Sequence, residues 1–127
     1  MHKTLVITGL IFILTGILLG AFGAHSLKEI ISATKIASFE TGVRYQLFQG
    51  LGLLIIGLHA KNEFSLTWYY RFMMVGTILF SCSIYLLAFS EIISLPIKII
   101  GPFTPIGGSL MIISWATLLF QILKKSK

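Results

Sequence analysis

The sequence predicts an all-α fold: a four-transmembrane-helix bundle with a short amphipathic segment between its first two helices. Three observations carry that prediction. Residues 5–24, 43–58, 72–89 and 106–123 are apolar stretches, near the ~20 residues a helix needs to cross a hydrocarbon core of about 30 Å, and shorter ones are accommodated by thinning or interfacial anchors. The apolarity is continuous, not the alternation of a barrel strand, so helices are the remaining way to satisfy backbone groups in lipid. Charged residues make up only 11% of the chain, where a soluble domain carries about 25%. The 127 residues therefore read as one integral membrane domain.

The first helix opens with Met1-His2-Lys3 and an apolar run. Ala21-Phe22-Gly23 imitates a small-x-small cleavage site, but the run of about 19 residues exceeds the 7–15 of a secretory signal. A retained helix is expected. Gly9, Gly16, Gly20 and Gly23 fall within an arc of about 60° at the helical step of about 100° per residue. In lipid such a seam lets two backbones approach closely. Residues 25–41 form the longest polar connection. Its His25-Ser26-Leu27-Lys28-Glu29-Ile30-Ile31 segment alternates at helical spacing and is expected at the headgroup level. Ser32 or Thr34 is placed to cap a second helix that begins near Lys35, before the membrane.

The second helix carries the least ordinary chemistry, from Phe39 through Glu40, Arg44 and Tyr45 to Gln49. Glu40 and Arg44 are four apart and should pair on one face. Thr41, Tyr45 and Gln49 form an adjacent stripe. Polar groups at this depth are costly unless turned inward or to the interface, which makes an inter-helix polar pocket a candidate beside a plain interfacial anchor. Gly50 and Gly57 continue the packing seam. The second link holds Lys61, Asn62, Glu63, Trp68, Tyr69 and Tyr70, the composition of an interfacial belt. Helix three follows, with Gly76 and the small-residue run Ser81-Cys82-Ser83. Cys82 is the only cysteine, so an intrachain disulfide and a two-thiol redox centre are excluded.

Pro96, Pro102 and Pro105 all lie in the third link. Gly101 to Gly108 reads as a bent start to helix four, with Thr104 as N-cap and Pro105 at the first helical position. Non-helical backbone at that depth must be shielded or line a cavity, so this bend is a second candidate pocket wall. Gly107, Gly108, Ser114 and Gln121 should face the bundle. Trp115 lies in mid-span, and its indole N–H needs a partner across the bundle.

With these segments placed, the chain resembles the domain of unknown function 423 family of small four-helix membrane proteins. The resemblance rests on Gly20-Ala21-Phe22-Gly23-Ala24-His25, Glu40-Thr41-Gly42-Val43-Arg44-Tyr45-Gln46, Leu79-Phe80-Ser81-Cys82-Ser83-Ile84-Tyr85, Thr104-Pro105-Ile106-Gly107-Gly108 and Trp115, spread over nearly the whole chain. It implies a membrane address, expected to be the bacterial cytoplasmic membrane, and a four-helix topology. It implies no reaction. Relatives often carry histidine where this chain has Gln49, so a site built on His25 and a second histidine is not the reading here.

The function classes narrow accordingly. The net charge of +6 sits at span ends, where Lys and Arg snorkel to headgroups, and not on a nucleic-acid face. No nucleophile–base pair, paired carboxylates or phosphate-binding glycine loop is present, so the protein is read as no enzyme. His2, His25 and His59 lie at different span ends and build no metal or haem site; no cofactor is expected. Proton-coupled export needs a carboxylate deep in a span, whereas Glu29, Glu40, Glu63 and Glu91 sit at or beyond span ends. The primary expectation is a compact structural or interaction bundle, partnered by membrane lipids, by itself or by another membrane protein. The alternative is binding or transport of a lipid or small amphipathic molecule through a pocket lined by His25, Glu40, Arg44, Tyr45, Gln49, Thr104 and Trp115. Six Lys and Arg fall on the side of the termini and four on the other, which favours cytoplasmic termini.

Overall fold

The computed structural model describes residues 1–61 and 64–126; Asn62 and Glu63 of the second link and Lys127 lie outside the described residues. The chain is all-helical across them. Helix α1 spans Lys3–His25, a 3₁₀ turn covers Leu27–Glu29, α2 spans Ala33–His59, α3 Thr67–Ala88, α4 Ile97–Ile100 and α5 Phe103–Lys125. Consecutive long helices pack on one another: α1 on α2, α2 on α3, and α3 on α5.

Helix α2 begins well before the apolar stretch of residues 43–58. Ser32 has extended dihedrals and its hydroxyl accepts from the Lys35 N–H at 3.4 Å, an N-cap that satisfies one of the first-turn donors. The amphipathic segment ahead of it is a single 3₁₀ turn, with Leu27 and Ile31 buried and Lys28 and Glu29 exposed. One expectation needs correction. Thr104 is not the N-cap of α5, because Pro102 already has helical dihedrals (φ −62, ψ −22) and the helix starts at Phe103. Pro105 then sits in the first turn, where N–H groups have no intrahelical acceptor, so the missing donor removes no ladder bond. The Gly101 N–H donates to Ile97 O at 2.8 Å, so α4 leads into α5 as one helix bent at Pro102.

Close packing rests on glycine. A Cβ on Gly9 would lie 2.6 Å from Gly50 O and 2.7 Å from Leu54 N, and one on Gly57 would lie 2.9 Å from Val6 N. One on Gly76 would lie 2.8 Å from Gly107 O, and one on Gly107 would strike the Phe80 backbone. These are contacts of backbone on backbone, the small-residue geometry of helices in lipid. Gly16, Gly20 and Gly23 instead receive the side chains of Leu47, Val43 and Phe39. Gly108 differs: a Cβ there meets only Phe80 ring atoms at 3.6 Å, ordinary contact.

Burial is inverted relative to a soluble bundle. Leu18 is 70% exposed and Ile112 72%, while Gln46 is 7% exposed and Ser114 0%. α1, α3 and the α4–α5 segment are each long and apolar enough to cross a membrane. α2 is as long, at 27 residues, but Lys35, Glu40, Arg44, Gln46 and Gln49 dilute its apolarity. At the end near Trp68, the Arg71 guanidinium lies 5.4 Å from the Trp68 ring centroid and the Trp68 ring stacks on Phe72, as in an interfacial belt.

Candidate functional site

The polar groups inside the bundle gather at three places along α2. The deepest is Gln46. It lies on the same face as Gly42, Gly50 and Gly57, so it enters the seam between α1 and α3. Its amide N–H groups donate to Phe12 O at 3.1 Å and to Thr15 Oγ1 at 2.7 Å, and its Oε1 accepts from the Tyr85 hydroxyl at 2.7 Å. Thr15 passes its own proton to Ile11 O at 2.7 Å. One turn away, Ser81 Oγ donates to Gly42 O at 2.8 Å. A groove of about 270 Å³ opens beside this node between α1 and α3, but the amide at its floor has spent both donors on protein acceptors. The node fastens three helices and offers a ligand little.

The second place is the contact of α2 with α5. The Trp115 indole N–H donates to Gln49 Oε1 at 2.9 Å, and Gly52 makes room for the ring, since a Cβ there would lie 2.7 Å from Trp115 Cζ2. Behind it, Ser114 Oγ donates to Tyr69 O at 2.6 Å. Tyr69 is fully buried and its hydroxyl has no partner among the described residues. Lower on α5, Gln121 clamps Ser65 through both its amide oxygen and its amide nitrogen, at 2.8 and 2.9 Å.

The third place is a cleft of about 430 Å³ where α2 and α3 meet the α4–α5 bend. Lys35, Ser38 and Thr41 line it from α2, Thr104 from the start of α5, and Ile97 and Gly101 from the bend. Lys35 Nζ donates to Leu87 O at 3.3 Å and to Ser90 Oγ at 3.4 Å. Thr104 Oγ1 lies 2.6 Å from Ser83 Oγ, which itself donates to Phe80 O at 2.9 Å.

The seven residues expected to line one pocket are therefore dispersed. Gln49 and Trp115 meet, and Thr104 lines the cleft. Tyr45 is exposed and packs its ring on Phe80 at 5.0 Å. His25, Glu40 and Arg44 are exposed. The Glu40–Arg44 pair does not form among the described residues: both side chains are exposed, away from the helix contacts. Gln46, Lys35 and Ser38 had not been singled out. Gln46 was legible from its spacing, because a glutamine inside a glycine stripe must be buried if the stripe is. Lys35-Ser38-Thr41 is likewise one stripe at spacing i, i+3, i+6.

With the geometry in place, the relatives can be set beside it. A family model described as protein of unknown function (DUF423) matches residues 19–108. The chain belongs to that family. It is 36% identical over 123 residues to a UPF0382 membrane protein of Staphylococcus epidermidis, covering 96% of this chain and 97% of the relative. It is 35% identical to the UPF0382 membrane protein YwdK of Bacillus subtilis, covering 96% and 98%. It is also 35% identical to the UPF0382 inner membrane protein YgdD of Escherichia coli, covering 89% and 81%. No solved structure matches the chain. This DUF423 protein is an integral membrane protein, and its apolar helices make it multi-pass. The family match includes Gln46, Tyr85 and the cleft but begins after Phe12 and Thr15 and ends before Trp115.

Proposed function

We propose that this protein is a non-enzymatic structural or interaction bundle that crosses the cytoplasmic membrane four times, with both termini in the cytoplasm. Its partners are lipids and membrane proteins, a second copy of itself included. The observation that carries the reading is the saturation of the Gln46 node. Its amide makes three hydrogen bonds, to Phe12, Thr15 and Tyr85, on the two neighbouring helices. Such a node serves rigidity, because the polar groups of mid-bundle are consumed in joining helices. The outward faces of α1 and α5 stay apolar, with Leu14 62% and Phe120 67% exposed, as a lipid-embedded or protein-docking surface requires.

The fourth crossing is supported by the way α2 lies along α1. The His2 N–H donates to Gly57 O at 2.7 Å at one end, and Phe39 packs into the space above Gly23 at the other. That antiparallel packing along the length of α1 supports a span for α2 as well. Chemical crosslinking in intact membranes, followed by identification of what is joined to cysteines placed on the outward face of α1, tests the interaction role. Reproducible crosslinks to itself or to one membrane protein are the expected result, and labelling by lipid probes alone would overturn it.

The cleft favours a second reading, binding of a lipid or small amphipathic molecule. Unlike the Gln46 groove, it holds a cation and hydroxyl groups whose present partners are neutral.

A further inference from the structure

We propose that the cleft between α2, α3 and the α4–α5 bend is a site for the phosphate headgroup of an anionic glycerophospholipid, held by Lys35 with Ser38, Thr41 and Thr104. The proposal deepens the lipid-binding reading and rests on it.

Charge comes first. The Lys35 ammonium has three hydrogens, and the two acceptors it meets, Leu87 O and Ser90 Oγ, are neutral and distant at 3.3 and 3.4 Å. Charge-assisted bonds to an anion run at about 2.7–2.9 Å. Of the acidic residues around that end, Glu91, next in sequence to Ser90, is turned to Ser32, whose hydroxyl donates to it at 3.1 Å and whose N–H donates at 3.4 Å, and Glu29 and Glu40 are exposed and form no ion pair with Lys35 among the described residues. Lys35 thus has no carboxylate partner among the described residues. Its ammonium stands at the cleft wall with neutral hydrogen-bond partners only.

The hydroxyls complete the cradle. Ser38 Oγ donates to Thr34 O at 3.3 Å and Thr41 Oγ1 to Ala37 O at 3.1 Å, both within their own helix. Thr104 rests on Ser83, outside the α5 ladder. Hydroxyl hydrogens rotate to suit their partner, and exchanging the neutral in-helix bonds of Ser38 and Thr41 for bonds to a phosphate oxygen is favourable because ionised acceptors bind about twice as strongly. At a rise of about 1.5 Å per residue, Lys35, Ser38 and Thr41 descend from the rim of the bundle towards its middle.

That order suits a lipid, with phosphate at the rim and chains below. The remaining walls, Ile84, Leu87 and Ile97, are apolar, and the stripe continues one turn deeper to the exposed Tyr45 on Phe80. A volume of about 430 Å³ lies in the range of small-molecule sites, roughly 300–1,000 Å³. A choline headgroup would set its own cation beside Lys35, whereas a headgroup of net negative charge would not.

Native mass spectrometry of the purified full chain, extracted gently and supplied with equal phosphatidylglycerol and phosphatidylcholine of matched acyl chains, tests the site. The expected result is retention of phosphatidylglycerol over phosphatidylcholine by roughly tenfold or more. Lys35→Gln and Thr104→Val should each bring the ratio towards one, while Lys28→Gln, exposed on the 3₁₀ turn at the same end, should leave it unchanged. Should either cleft variant lose its cooperative melt, Thr41→Val replaces it. Lipid retained without preference, or a preference that survives Lys35→Gln, overturns the headgroup site while lipid binding stands. Retention of no lipid overturns the lipid-binding reading itself. Displacement of bound phosphatidylglycerol by equimolar glycerol 3-phosphate reassigns the cleft to a soluble phosphate ester and overturns the lipid assignment.

Discussion

Two buried residues on neighbouring helices show how differently a polar atom can stand inside this bundle. Gln46 has both amide groups bonded across helices, and Tyr69 has a hydroxyl with no partner among the described residues. A typical interhelical bond in a membrane protein contributes ~0.6 kcal/mol, but removing one partner and stranding the others costs about 1–3 kcal/mol. Gln46→Leu strands the Tyr85 hydroxyl, while Phe12 O keeps its helical donor and the bond from Thr15, so it should destabilise the protein by about 1–3 kcal/mol in a denaturant melt in detergent. The pair Gln46→Leu with Tyr85→Phe should cost less than the sum of the single changes. Tyr69→Phe should be neutral or stabilising, because it deletes an atom whose desolvation is uncompensated. A Tyr69→Phe variant less stable by more than about 1 kcal/mol would show that the hydroxyl has a partner. At this scale the sequence was half legible. Trp115 was expected to need an acceptor across the bundle and finds Gln49. Arg44 and Glu40 drew attention because charges are rare in spans, yet they face outward, and rarity by itself does not tell which face a residue occupies.

Among the elements, the two helix crossings are governed by glycine, and α5 offers a test inside one dipeptide. Gly107 and Gly108 are adjacent and were expected to act alike. The structure separates them, since one step along a helix turns a side chain by about 100°. A Cβ on Gly107 meets the α3 backbone, which cannot yield without parting the helices, whereas one on Gly108 meets the Phe80 ring at ordinary distance. Gly107→Ala should therefore cost about 1–3 kcal/mol through overpacking. Gly108→Ala should be neutral or stabilising by up to ~1 kcal/mol, the gain in helix propensity. Thermal melts of the two variants decide the matter, and equal effects would mean that the α3–α5 crossing is looser than described. Element boundaries were less legible than element identities. Hydropathy marks where lipid begins, not where hydrogen bonding does: the apolar stretch of α2 starts at residue 43, and only the capping signal at Ser32 or Thr34 placed the helix start far earlier, where Ser32 caps it. At Pro102 and Pro105 the proline signal was ambiguous, because a first turn tolerates a missing donor at more than one position.

For the whole molecule, packing and hydropathy pull apart on α2: packing favours a span and composition favours a helix at the membrane surface. Composition alone would leave α2 outside, since three other segments are the long apolar ones. Packing places it between α1 and α3, with its C-terminal end bonded to the N-terminal end of α1. If α1 and α3 cross, a surface position for α2 would part Gln46 from Thr15 and Tyr85 and leave the Tyr85 hydroxyl in lipid, where an unsatisfied polar group costs several kcal/mol. Four crossings put residues 2 and 61 on one side of the membrane and residues 28 and 98 on the other. With Cys82 replaced by alanine, single cysteines at His2, Lys61, Lys28 and Lys98 can be challenged with an impermeant maleimide on intact cells. The positive charge balance predicts labelling at 28 and 98 and protection at 2 and 61 until the membrane is opened. The reverse pattern would keep four spans and invert the orientation. Labelling at 61 together with 28, while 2 stays protected, would remove α2 from the membrane. The bonded contact of His2 with Gly57 would then have no place in the membrane-bound protein.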